Sequence, residues 1–384
     1  MRNYYFDHAA TTPLHPEVAK VMLDIMQGAG GNPSSMHAFG RAAKQQLNRS
    51  RDYIAAAIGC KPSELIFTSG GTESDNMAIA GTALAMKRQG KNHLITSAAE
   101  HHAVLHTFES LSHEGFTVTF LPVDATGRVL PEDVASAITP ETALISIMHA
   151  NNEVGTLNPI QEIGEIAHSH GVLFHVDAVQ SFGLMEYRLN EMPIDLMSFS
   201  AHKINGPHGV GALYMANGTP FTPIVHGGSQ ERKRRAGTEN VAGIAGFAKS
   251  VEICVNNREE KQLFLDKLRK EWIERLQAEL QGTQLVINEN TEHHLPSIVN
   301  ISFIGIDTET MLMNLDMEGI AAASGSACTS GALERSHVLQ AMDISDERLN
   351  SAVRFSFGLG NTMEDLDNAA QKIATIVKRI RTIA

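Results

Sequence analysis

The sequence predicts an α/β fold, a large domain with a mainly parallel sheet plus a smaller α+β domain, on three observations. Short apolar runs alternate with segments of helical period through most of the chain, the pattern of a wound sheet. After about Asn256 the texture changes to a charged amphipathic helix followed by strands with flanking helices. The length, 384 residues at 43% hydrophobic and 19% charged, suits two unequal domains with a substantial core.

Taken in order, Glu64-Leu65-Ile66-Phe67-Thr68 reads as a strand, followed by a glycine loop and a helix from about Glu73 to Arg88. Further strands are expected at His93–Thr96, Thr117–Leu121, Ala143–Ile147 and Val172–Val176, with a helix opened by Pro159 and ended near Gly171 between the last two. Strands separated by helices imply a mainly parallel sheet. Asp195-Leu196-Met197 is strand-like and leads into Ser198-Phe199-Ser200-Ala201-His202-Lys203. From Glu260 to Leu280, Leu265, Leu268, Trp272, Leu276 and Leu280 recur at helical spacing, which reads as a packing face. Ser297–Phe303 and Ala352–Phe357 are strands of the second lobe.

Bulk properties narrow the function. A formal net charge of -12 disfavours direct nucleic-acid binding, which needs clustered cations. The run Glu231-Arg232-Lys233-Arg234-Arg235 is the local exception. The N-terminal residues lack an apolar signal core and no apolar stretch is long enough to span a bilayer, so neither secretion nor a membrane is expected. Three cysteines, Cys60, Cys254 and Cys328, do not form a disulfide framework, which suits a cytoplasmic setting.

Several strand ends carry chemistry. Lys203 follows a short strand amid Ser and His and precedes glycines; it is either a surface lysine in a turn or an amine desolvated enough to condense with an aldehyde. Asp177 ends a strand, where open α/β sheets bind ligands; it caps a helix or keeps a pyridine nitrogen protonated, with Gln180 near the ring's phenolic oxygen. Thr68-Ser69-Gly70-Gly71-Thr72-Glu73 is a capped glycine turn or a phosphate cup in which Gly71 and Thr72 meet the anion. His101 is placed to stack on a pyridine face and to hand over protons near neutral pH. The spacing of His102 and His106 also allows a metal pair, but no third ligand stands nearby in sequence, and no intrinsic metal is expected. Asn151-Asn152-Glu153 follows another strand end, with amides able to bind a ring oxygen or a carboxylate. Together these groups describe a site for pyridoxal 5'-phosphate (PLP).

The chain then resembles fold-type I PLP-dependent enzymes of the cysteine desulfurase family, the NifS/IscS group. The resemblance rests on Asp7-His8-Ala9-Ala10-Thr11-Thr12, Gly31-Asn32-Pro33-Ser34-Ser35, Ser69-Gly70-Gly71-Thr72-Glu73-Ser74, Glu100-His101, Asn151-Asn152-Glu153, Asp177-Ala178-Val179-Gln180 and Ser200-Ala201-His202-Lys203. It implies that Lys203 is the Schiff-base lysine, Asp177 pairs the pyridinium, Gln180 meets the phenolic oxygen and His101 stacks on the ring. It further implies that Thr72, Ser200 and His202 hold the phosphate and that Asn152 faces cofactor and substrate. The large PLP-binding domain is expected over 15–258, with 1–14 and 259–384 forming the small domain that carries a cysteine loop.

Cys328 lies in Ala323-Ser324-Gly325-Ser326-Ala327-Cys328-Thr329-Ser330-Gly331, small residues with nothing bulky to bury it, which favours a thiolate carrier over a core cysteine. The segment through Leu333-Glu334-Arg335-Ser336-His337-Val338 resembles the long-loop class, in which this cysteine is the nucleophile; Cys328 could also ligate a transferred iron–sulfur cluster. Arg354 alternates with Val353 and Phe355; it is a surface arginine or, by the resemblance, the fork that grips the substrate's α-carboxylate. Arg234-Arg235-Ala236-Gly237-Thr238-Glu239-Asn240 resembles the segment that reaches a neighbouring subunit, which places Thr238 on that subunit's phosphate and implies a homodimer. Two departures, His208 in the Gly-Pro-Lys-Gly turn and Ala321-Ala322-Ala323 before Ser324, are expected to touch no assigned role. The function implied is conversion of L-cysteine to L-alanine, with sulfur passed to an acceptor: an iron–sulfur scaffold, a tRNA-thiolating enzyme or a small carrier. Selenocysteine lyase and aminotransferase activities are the alternatives on the same scaffold.

Overall fold

The computed structural model describes residues 3–28, 30–282, 284–325, 328–329, 332–333 and 335–383, and of residues 328, 329, 332, 333 and 383 the backbone alone. Its centre is a seven-stranded sheet of β1 (Leu65–Thr68), β2 (His93–Ser97), β3 (Thr117–Leu121), β4 (Thr142–Ser146), β5 (Leu173–Asp177), β6 (Leu196–Ser200) and β7 (Gly211–Met215). The spatial order is β1-β7-β6-β5-β4-β2-β3. Six strands point the same way, and β7 runs antiparallel to β1 and β6. β1, β2, β4, β6 and β7 are buried along their whole length, as a sheet covered by helices on both faces requires. Met77, Ile79 and Met86 of the helix Gly71–Lys87 pack with Leu94, Leu144 and Leu213 on one face. On the other face Leu47, Ile54, Ile163 and Phe247 join Ile145, Phe174 and Phe199.

The structure departs from the sequence expectation at β6 and adds elements the sequence did not reveal. β6 continues through Ser198, Phe199 and Ser200, where polar residues suggest that the strand has ended. The Ser198 hydroxyl is satisfied inside the sheet by His175 Nε2 at 2.9 Å, so the residue is compatible with a buried strand. β7 and the helices Pro16–Gln27 and Ala38–Ala57 are further elements; both helices pack on Val241–Asn256.

A second core surrounds Trp272, whose ring lies 5.2 Å from Phe6 and 5.0 Å from Phe355. It comprises the helix Arg258–Glu279, the helix Met363–Ile383 and an antiparallel sheet of β8 (Leu285–Ile287), β9 (Ile298–Phe303) and β10 (Ala352–Ser356), ordered β10-β9-β8. Leu265, Leu268, Trp272, Leu276 and Leu280 are all buried, so the stripe is a packing face. Near the N-terminus Tyr4–Tyr5 pairs with Ile320–Ala321 and Asp7 bridges to Ser356, which joins the first residues to this second core.

Candidate active site

Parallel strands place their C-terminal ends on one edge of the sheet, and connections leaving that edge converge there. A cavity of about 410 Å³ opens at this edge. Gly71, Thr72, His101, Asn152, Asp177, Gln180, Ser200, His202 and Lys203 line it from the sheet side, and Arg354 faces them from β10. Thr238 does not reach it; the residue is exposed on the segment after Arg235.

One end of the cavity is built for an anion. The helix Gly71–Lys87 begins after Gly70, held at φ 155°, and no side chain caps it, so its first N–H groups are available to a ligand. A Cβ on Gly71 would stand 2.6 Å from Val179 Cγ2, so this close approach of the helix needs glycine. The Ser200 hydroxyl is buried and has no protein partner. Free N–H groups, an orphaned hydroxyl and a nearby imidazole fit the phosphate of PLP. His202 Nδ1 lies 3.1 Å from Thr11 Oγ1, and burial, then the charges of Lys203 and His208, lower its pKa to about 4. His208 is not the bystander expected from the sequence. Its ring stacks on His202 at 5.3 Å and its Nε2 lies 2.8 Å from the same Thr11 hydroxyl, because the glycine turn folds back onto β6.

At the centre, Asp177 receives the Val179 N–H at 2.8 Å. Burial raises its pKa to about 6, opposed by that hydrogen bond and by Lys203. Asp75, on the helix Gly71–Lys87, also lines the cavity. Burial and the neighbouring Asp177 charge hold its carboxyl well above the ordinary range. Lys203 Nζ donates to the carbonyl of Ala10 at 2.9 Å and to that of Ala9, while Gln180 Nε2 donates to Ala9 at 2.9 Å. Burial and the Arg354 charge lower the lysine pKa to about 8, so a substantial fraction of the amine is neutral near physiological pH. A buried, partly neutral lysine beside a carboxyl suits the anchor of an aldehyde cofactor.

His101 caps the helix His102–His113, its Nδ1 accepting the Ala103 N–H at 3.1 Å, which leaves the proton on Nε2. Burial and Lys203 lower its pKa to about 4. The ring is therefore neutral near pH 7, a stacking surface whose Nε2–H is its free hydrogen-bonding group. Behind it the buried Glu100 accepts from Ser97 and from the Met148 N–H, and burial raises its pKa to about 8.

The substrate side is different. Arg354, 4% exposed, reaches Asp7 Oδ1 at 2.8 Å through Nη2 and the backbone carbonyl of Asn152 at 2.9 Å through Nη1. Its Nε has no protein partner. It is not a surface arginine. Asn152 is positioned by its neighbour: the Asn151 side chain accepts the Glu153 and Val154 N–H groups and donates to Ala99. Ala323 and Gly325 reach the cavity at the foot of the cysteine segment. Cys328 and Thr329 pair with Leu333 and Ala332, and the Cys328 side chain lies outside the described residues. The third histidine missing near His102 and His106 in sequence is His337, its ring 4.5 Å from that of His102, although no group among the described residues is arranged to hold a metal.

Sequence reading did not single out Asp75 or Glu100 as site residues, nor Asp7 as the partner of Arg354. Asp75 looks like the polar face of a helix, and only the fold turns it toward Asp177; the pairing of Asp7 with Arg354 spans nearly the whole chain.

The pattern of the aminotransferase class-V family matches residues 4–369. The cysteine desulfurase IscS of Dictyoglomus turgidum is 46% identical over 383 residues, covering 100% of this chain and 96% of that protein. The cysteine desulfurase IscS of Methanosarcina thermophila is 46% identical over 380 residues, covering 99% and 93%. A solved NifS-like protein superposes with a TM-score of 0.92 at 36% identity, covering 98% of this chain and 100% of that one.

Proposed function

The chain belongs to the class-V aminotransferase family and, within it, to the IscS/NifS-like cysteine desulfurases, which depend on PLP, and from that premise we propose that it converts L-cysteine to L-alanine and takes up the sulfur as a persulfide on Cys328. The observation that carries the reading is the convergence of Arg354 from the second core on the cavity that holds Lys203, Asp177 and His101. A cofactor cradle facing a buried guanidinium suits an amino acid held by its carboxylate.

Gly71, Thr72, Ser200 and His202 would hold the phosphate, Asp177 the pyridine nitrogen, Gln180 the phenolic oxygen, and His101 the ring face. Bound PLP supplies an electron sink for the carbanion left when the substrate's α-proton departs. Arg354 and Asn152 orient the substrate carboxylate. Lys203, whose amine burial makes easier to deprotonate, anchors the cofactor and accepts the α-proton. The Cys328 thiolate attacks the substrate sulfur: a sulfur–sulfur bond forms, the carbon–sulfur bond breaks with its electron pair moving to the β-carbon, and protonation of that carbon together with return of the α-proton from Lys203 completes alanine. His101, neutral with its proton on Nε2, is the nearby group for proton traffic, with Nε2–H as its donor.

Thr238, exposed and away from its own cavity, is assigned to a neighbouring subunit's phosphate in a homodimer. The persulfide would pass to an acceptor protein: an iron–sulfur scaffold, a tRNA-thiolating enzyme or a small carrier. No helix among the described residues is long and apolar enough to cross a membrane, and we place the enzyme in the cytoplasm. The test incubates the yellow holoenzyme with cysteine and quantifies alanine and sulfide. Cys328→Ala should abolish both while retaining the visible cofactor band. Undiminished alanine from that variant would overturn the nucleophile assignment, and transamination without sulfide would overturn the reaction.

A further inference from the structure

Three consecutive residues without a glycine among them, Glu231, Arg232 and Lys233, adopt left-handed backbone conformations, with φ of 43°, 57° and 65°. L-residues disfavour this region, and such a run persists only where its surroundings over-determine it. The constraint here is a buried fork. Arg51 Nη2 meets Glu231 Oε1 at 2.6 Å and Arg51 Nη1 meets Oε2 at 2.8 Å, with both side chains about nine-tenths buried or more. The pair also completes the outer edge of β1: Glu231 accepts the Phe67 N–H at 3.1 Å and Arg51 donates to the Leu65 carbonyl at 2.6 Å. The guanidinium lies 4.5 Å over the Phe67 ring. Such a pair is an expensive way to stabilise a fold, but it fixes register where geometry matters.

What it fixes is the base of the segment carrying Thr238. Beyond the left-handed run, Arg235 makes a two-point contact with Glu73, at 2.7 and 3.2 Å, in the first turn of the phosphate-site helix, and the Gly237 N–H donates to the Gln230 side chain. We propose that Glu231, clasped by Arg51, is a positioning residue that aims Thr238 at the neighbouring subunit's phosphate. The clasp therefore acts on cofactor retention in trans, on the site of the subunit to which it does not belong. This rests on the homodimer reading above.

The test uses heterodimers loaded with PLP in which one subunit carries Lys203→Ala, so that a single site holds the anchored cofactor. The readout is the rate at which the visible band is lost to a PLP trap. Glu231→Gln in the Lys203→Ala subunit should accelerate release from the other subunit's site about tenfold, whereas Glu231→Gln in the subunit bearing the intact lysine should leave it unchanged. Arg51→Lys, which keeps the charge and loses the fork, gives the same trans pattern if Glu231→Gln folds poorly. Thr238→Ala placed in trans is the control for the dimer reading. If it is silent, that reading falls and the inference with it. If it accelerates release while the clasp variants are silent or act only in cis, the inference alone is overturned.

Discussion

The two walls of the cavity handle charge in opposite ways. On the sheet side burial drives ionisable groups toward neutrality: Lys203 to about 8, His101 and His202 to about 4, Asp177 to about 6 and Glu100 to about 8. On the facing side stands the guanidinium of Arg354, matched by Asp7. A wall of adjustable groups suits a cofactor whose protonation must be tuned. A fixed charge suits a substrate whose carboxylate is always ionised.

The largest consequence of that contrast is in cofactor loading. Only the unprotonated amine of Lys203 condenses with an aldehyde. A pKa near 8 instead of 10.5 raises the free amine at neutral pH by about 300-fold. PLP uptake by the apoprotein, followed by visible absorbance, should therefore rise with pH and level off just above about 8. Uptake still climbing at about pH 10 would break the claim that burial tunes this wall. Next in size, Arg354→Lys keeps the charge but loses the fork, which should lower kcat/KM for cysteine by roughly 10–150-fold, the equivalent of about 1.5–3 kcal/mol for a charged hydrogen bond. The cofactor band should be unaltered, and a bleached variant would show that the walls are not separable. The smallest effect belongs to Asp7→Asn. The aspartate competes with the substrate carboxylate for the same guanidinium, so steady-state kinetics should show KM for cysteine falling roughly three- to tenfold, the scale of a partly exposed ion pair. A rise in KM would mean that Asp7 mainly orients the arginine.

The sheet side was largely legible in the sequence because parallel strand ends carry recognisable chemistry over a few residues. Asp177, His101 and the Gly70-Gly71 turn each follow an apolar run, and the structure places all of them at one cavity. Lys203 was legible through its company, although the strand before it runs on to Ser200, its serines mimicking a loop until His175 supplies a partner for one of them. The other wall was less readable. The burial of Arg354, the approach of Asp7 and the meeting of His102 with His337 depend on pairings across more than two hundred residues, and no local pattern encodes these. The antiparallel β7 was hidden for a similar reason, since its direction follows from a short turn after Lys203 rather than from its composition.

The pairing of Asp7 with Arg354 has a consequence for how the enzyme is made. The two residues lie 347 positions apart, so a chain synthesised from its N-terminus leaves Asp7 waiting for almost the whole of translation. Lys203, Asp177 and His101 all precede Arg354, and the substrate grip is among the last parts to emerge. The order of synthesis thus separates acquisition of the cofactor wall from acquisition of activity. A truncated product that ends before β10 has the lysine but lacks the guanidinium that grips an amino acid's carboxylate.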